Sequence, residues 1–223
     1  MRLLIIGGNG RTGRLVIAAA LKKGYTVTAL IRNPDTLEPA AGLKIIKGTP
    51  LSLDDVKTAI ESTPADPVKA IIVTLNAPRV SDNPYSASIA PPRLMADSHL
   101  NLATAMRMHG ITKIVTMSAF GVGDSFPYMH ILLRLVIRTS SMAYQFEDHG
   151  LVDEEIKAAN VDYVLVRPVM LTNGPAMPIV ERGPLGDKGV GLLSKITKES
   201  VAQFLIDAAV KNDWNKKTIV ITN

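Results

Sequence analysis

The 223-residue chain has no cysteine, and this one absence removes disulfides, thiolate metal sites and a cysteine nucleophile together. Aromatic residues are scarce at 4%, with a single tryptophan, and no basic cluster interleaves with them, so a nucleic-acid surface is not expected. No long hydrophobic run is present. The apolar tract at residues 131–137 is interrupted by Arg134 and closed by Arg138, far too short to span a bilayer. The histidines His99, His109, His130 and His149 lack metal-ligand spacing, so no metal is expected. The N-terminus shows no basic stretch, apolar core and small-residue cleavage site in series. These absences predict a cytoplasmic protein with no membrane or nucleic-acid partner; a small-molecule substrate and a monomeric or weakly dimeric state are expected beside them. The formal charge is +5 with a pI of about 9.4. Lys and Arg are scattered, which reads as a solvated surface with some attraction for anionic cofactors.

Apolar residues reach 47%, enough for a sizeable core. Short β-branched runs (3–6, 26–31, 43–46, 70–75, 113–117, 163–166, 218–222) alternate with helix-like segments (12–23, 54–61, 93–109, 151–159, 198–210). Such alternation predicts an α/β fold: a Rossmann-like, doubly wound, mainly parallel sheet with helices on both faces. One domain over residues 1–223 is expected. Gly24 and Gly110 sit where left-handed helix caps are expected, and Ser52 and Asp54 offer N-cap oxygens. Asp153, Glu154 and Glu155 read as an acidic run at a helix N-terminus. Two stretches break the alternation and read as substrate loops: the proline-rich residues 76–92, and residues 118–150. The apolar piece 128–137 within the second reads as a helix or lid over the site, with core packing or a partner-facing helix as the other readings.

The most informative motif is Leu3-Leu4-Ile5-Ile6-Gly7-Gly8-Asn9-Gly10-Arg11-Thr12-Gly13. A buried strand feeding a glycine turn and a helix N-terminus is a pyrophosphate site. Gly7, Gly10 and Gly13 let the backbone turn and approach phosphates with no Cβ in the way. Thr12 can reach a phosphate oxygen or cap its helix.

The ribose-reading position lies about 20 residues past the glycine turn. An acid there binds a free 2′-hydroxyl and repels a 2′-phosphate. This chain has Arg32 there, and no acid until Asp35. With Arg11 as a second positive charge, the pattern predicts NADP(H). Leu75, Asn76 and Ala77 close the expected fourth strand beside the nucleotide.

These residues, with Lys113-Ile114-Val115, Ser118-Ala119-Phe120 and Tyr163-x-x-Val166-Arg167-Pro168, resemble the NAD(P)H-binding, NmrA-like atypical short-chain dehydrogenase/reductase family, in particular its biliverdin and flavin reductase branch. The resemblance runs over nearly the whole chain. It implies a Rossmann-type sheet, NADP(H), and hydride transfer to a flavin-like or conjugated molecule. It carries cofactor contacts onto Gly7, Gly10, Arg11, Thr12, Gly13, Arg32, Asn76, Ser118 and the Pro168-Val169 turn. Many relatives have a Gly-Asp pair after the third strand. This chain has Gly48-Thr49, so Thr49 occupies an adenine-side position without the usual carboxylate. Where the branch has a histidine after the sixth strand, this chain has Val169.

Typical short-chain dehydrogenases pair a tyrosine with a lysine four residues on. The residues four past Tyr25, Tyr85, Tyr128, Tyr144 and Tyr163 are Ala29, Ile89, Leu132, Asp148 and Arg167, so no such pair is spelled out. Gly-x-Ser-x-Gly is also absent, which argues against a serine hydrolase. The remaining catalytic candidates are Ser118 at the end of the fifth expected strand, Asp124 after the Gly121/Gly123 turn, and Tyr128, Tyr144 and His149 as proton donors from the second loop. The expectation is an NADPH-dependent reductase for a flavin-like, quinone or conjugated carbonyl acceptor. The alternative is a non-redox NADP(H)-binding regulator, isomerase or cyclase.

Overall fold

The structure is a computed structural model describing residues 1–223. Strand β1 (Arg2–Ile6), helix α1 (Arg11–Lys22), β2 (Thr26–Ile31), β3 (Leu43–Lys47), α2 (Leu53–Glu61), β4 (Val68–Val73), α3 (Leu94–His109) and β5 (Lys113–Met117) come first. They are followed by α4 (Ile131–Thr139), α5 (Met142–Ala158), β6 (Asp162–Pro168), β7 (Met170–Thr172), β8 (Val180–Glu181), β9 (Lys195–Thr197), α6 (Lys198–Val210) and β10 (Lys217–Thr222). Eight strands form one sheet in the order β3-β2-β1-β4-β5-β6-β10-β8, and β7 pairs separately with β9. Within the large sheet only β8 runs antiparallel to its neighbour. This is the Rossmann-like arrangement. No helix is long and apolar enough to cross a membrane.

The residues of β1 are all buried because both faces of the sheet are covered. Side chains alternate along each strand. Leu3, Ile5, Ala29 and Ile72 therefore enter a core shared with α1 and α6, while Leu4, Ile6, Leu30 and Ile71 enter one shared with α2, α3 and α5. Strand order reverses between β1 and β4, which opens a crevice at their C-terminal ends.

Several expectations change. Strand β4 stops at Val73, so Leu75–Ala77 lie in the following loop. Ser52, not Asp54, caps α2: its side chain accepts the Asp55 N–H at 3.2 Å. Residues 118–150 form a 3₁₀ turn, α4 and the start of α5. The helix expected from residue 151 begins at Met142, so Asp153–Glu155 lie in its second half, far from its N-terminus. There Asp153 and Glu155 are bound by Arg167 and Arg93 instead of a helix dipole. Strands β7, β8 and β9 were not anticipated, being two or three residues long, too short to show a period.

Candidate active site at the sheet crevice

The glycine turn lies between β1 and α1. Gly7 has φ +81°, and a Cβ there would stand 2.9 Å from the Thr74 carbonyl carbon and oxygen on the neighbouring strand's extension. A Cβ on Gly13 would stand 2.2 Å from the Gly7 carbonyl oxygen. The first turn of α1 thus rests directly on the loop. No side chain caps the N-terminus of α1 and no acid lies in its first turn, so Thr12 is not a cap. The unpaired N–H groups and the positive dipole end are left for an anion.

A cavity of about 750 Å³ runs along these strand ends. Of the expected cofactor residues it is lined by Gly7, Gly10, Arg11, Thr12, Arg32, Thr49, Leu75 and Asn76. Gly13 lies behind, as a packing glycine. Ala77 lines a second cavity, because the loop turns toward α5 after Asn76. Pro168 is the buried last residue of β6, its carbonyl accepting the Phe120 N–H at 3.0 Å, and Val169 is packed into the α1/α6-side core; neither lines the cavity. Ser118 is buried at the end of β5, its N–H donating to the Val166 carbonyl at 2.7 Å, and its Oγ has no hydrogen-bond partner.

The charges differ from expectation at Arg11. Its guanidinium is held by Asp82 of the 76–92 loop, in two hydrogen bonds of 2.9 Å, and so does not stand free as a second phosphate charge. Arg32 is exposed at the tip of β2 and lies in no ion pair with an acid. Lys47, Asp55, Met117, Leu171 and Lys198 also line the cavity and were missed. Lys47 was discoverable, since the residue closing each parallel strand is a lining candidate. Asp55 brings a carboxylate beside Thr49, accepting its N–H at 2.8 Å from α2. Leu171 arrives on β7 and Lys198 at the start of α6, with no local signal.

The second cavity, about 550 Å³, lies between the 76–92 loop and α5, lined among others by Ala77, Pro92, Tyr144 and Leu151. Pro91 borders both cavities. Asn76 is tied to α5 through Gln145, whose Nε2 donates to its Oδ1.

The proposed catalytic set does not converge. Asp124 is bound by the fully buried Arg167 at 2.6 Å, a structural ion pair that also includes Asp153. Burial pushes the Asp153 carboxyl up, against the opposing pull of Arg167. Tyr128 is half exposed in the 3₁₀ turn and lines neither cavity. Tyr144 lines the second cavity. His149 is buried within α5, and burial, with a smaller contribution from His99, pushes it down to about 3. His99 on α3 is pushed down by burial to about 4. Its Nδ1–H donates to the Met95 carbonyl at 2.7 Å, leaving Nε2 to accept from the Thr116 hydroxyl at 2.9 Å. Both histidines are neutral near pH 7 and away from the crevice. Residues 118–150 are therefore no lid over the main cavity. Instead α4 buries Ile137 and leaves Ile131, Leu132 and Leu135 exposed.

The NAD(P)H-binding family profile matches residues 7–212. Two curated relatives align over nearly the full chain. "Reductase pytE" of Aspergillus terreus is 24% identical, covering 99% of this chain and 97% of that protein. "Photosystem II assembly factor Ycf39" of Synechocystis is 22% identical, covering 98% of this chain and 61% of that protein. Among solved structures, ChuY, an anaerobillin reductase from Escherichia coli O157:H7, superposes with a TM-score of 0.76 at 18% identity, covering 99% and 96% of the two chains. A short-chain dehydrogenase/reductase from Veillonella parvula in complex with NADP gives 0.75 at 14% identity, covering 100% and 94%.

Proposed function

The chain belongs to the NAD(P)H-binding family, and from that premise we propose that it is an NADPH-dependent reductase acting on a flavin-like, quinone or conjugated carbonyl small molecule. The observation that carries the reading is the crevice itself. Gly7 and Gly10 line it with bare backbone, Gly13 lets the first turn of α1 pack against Gly7, an uncapped helix end faces it, and an unpaired Arg32 stands where a ribose acid would exclude a 2′-phosphate. Bound there, the cofactor supplies a hydride from its nicotinamide ring.

The residues of the chain do the rest. The N–H groups of the first turn of α1 hold the pyrophosphate. Asn76, fixed by Gln145, orients the ring side of the cofactor. The Ser118 hydroxyl, buried without a partner and next in sequence to the cavity-lining Met117 though itself outside both cavity linings, is the donor assigned to the carboxamide or to an acceptor oxygen. The cavity beside α5, walled by Ala77, Pro91, Pro92 and Leu151, takes the flat acceptor, with Tyr144 at its edge. The acceptor gains one hydride and one proton, the proton coming from solvent. Flavins and quinones tolerate a weak acid because the reduced acceptor itself delocalises charge. The similarity to the Aspergillus reductase and to ChuY supports a reductase, and the NADP complex of the Veillonella protein supports the phosphorylated coenzyme.

The test is NADPH oxidation with flavin mononucleotide, a quinone and an enone in turn. The expected result is acceptor-dependent consumption with one acceptor reduced per NADPH. Tight NADPH binding with no turnover on any of the three overturns the reductase reading in favour of a non-redox NADP(H)-binding protein.

A further inference from the structure

We propose that Lys47 acts with Arg32 as the receptor for the cofactor's 2′-phosphate, making Lys47 a specificity-determining residue for NADPH over NADH. The inference rests on the cofactor reading above. Strands β2 and β3 are paired in register, with Ile31 opposite Lys47, so Arg32 and Lys47 close adjacent strand tips. Both side chains are exposed, and both residues line the cavity that contains the glycine turn. Alternation along β3 puts Lys47 in the row of Leu43 and Ile45, whose side chains pack toward the α1/α6-side core. That is the side of the sheet on which α1 begins.

The other cations at this end of the sheet are already engaged. Arg11 holds Asp82. Arg14 donates to the Asn9 carbonyl at 3.1 Å and to the Thr36 carbonyl. Lys198 donates to Asn173 at 2.5 Å. Arg32 and Lys47 alone among these basic residues have no such partner, and neither Asp35, the acid nearest Arg32 along the chain, nor Asp55, which lines the same cavity, pairs with them. A phosphate dianion is matched by a forked guanidinium together with a point-charge ammonium. The adenosine ribose of a dinucleotide in this fold lies at the tip of β2, one strand away from Lys47.

Calorimetric titration of NADPH, NADH and adenosine 2′-monophosphate into the wild type, Lys47→Ala and Arg32→Ala tests the assignment without any turnover. The expected loss for Lys47→Ala is about tenfold in NADPH affinity, with NADH changed less than about twofold. Adenosine 2′-monophosphate should weaken in parallel with NADPH. Lys47 is exposed on an edge strand, so the variant should keep the wild-type circular dichroism spectrum. Wild-type protein that binds NADPH, with Lys47→Ala unchanged or weakened equally for both coenzymes, overturns the assignment alone. Wild-type protein that binds neither coenzyme overturns the cofactor reading and this assignment with it.

Discussion

Arg11 and Asp82 face each other across the mouth of the crevice, each guanidinium NH₂ group donating to a separate carboxylate oxygen at 2.9 Å. The bidentate bond from Arg11 holds the Asp82 carboxyl below the usual carboxylate range. It also ties the proline-rich loop to the first turn of α1, beside the N–H groups proposed to hold the pyrophosphate. The carboxylate neutralises a positive charge beside the proposed pyrophosphate site.

Replacing Asp82 with alanine should therefore tighten both coenzymes. Freed from Asp82, Arg11 would stand in the first turn of α1 beside the pyrophosphate site proposed for NADPH and NADH alike, so the gain should be about threefold for each. The pair is exposed, so thermal stability should scarcely move. Titration of the two coenzymes at low and high salt checks this. A gain confined to NADPH would place Arg11 at the 2′-phosphate.

The N-terminus of α3 depends on a residue from α5. Arg93, its N-cap, is left-handed with φ 57° and supplies no side-chain cap. The Asp148 carboxylate accepts the Met95 N–H at 2.9 Å and the Ala96 N–H at 3.0 Å instead. Asp148→Ala should cost about 2 kcal/mol, leaving two buried donors without an acceptor. Urea unfolding should show the loss at pH 7, with Asp148→Asn intermediate.

The buried histidines set the acid limb of stability. Their folded values, about 4 for His99 and about 3 for His149, lie below the ordinary 6.5. The unfolded chain binds the extra protons, so this stability is full above pH 6.5 and is lost as pH falls toward the folded values. By pH 4 the loss should reach roughly 3 kcal/mol for each histidine. Unfolding midpoints measured from pH 7 to pH 4 should fall steeply, and His149→Leu should flatten part of that slope.

Ser118→Ala removes the one buried hydroxyl at the end of β5 that bonds to nothing in the protein. Since no bond within the fold is lost, its melting temperature should stay near wild type. Turnover should fall about tenfold, with NADPH affinity nearly preserved. An unchanged rate would remove the serine from the site.

The sequence alone determined the sheet and the crevice. Apolar runs alternating with helix-length segments marked all seven long parallel strands within two residues, because the central strands, buried on both faces, are continuously hydrophobic. The glycine turn and Arg32 were legible because they belong to one local strand–turn–helix unit. Only the tertiary structure decided which charges are free. Asp82 lies 71 residues from Arg11, and Asp148 lies 53 from Met95, so neither partnership leaves a local pattern. The same holds for the catalytic candidates. His149 and Asp124 looked equally available as letters in a loop. Burial within α5 encloses His149, and the ion pair with Arg167 holds Asp124 away from the crevice, because a side chain's solvation and partners are properties of packing.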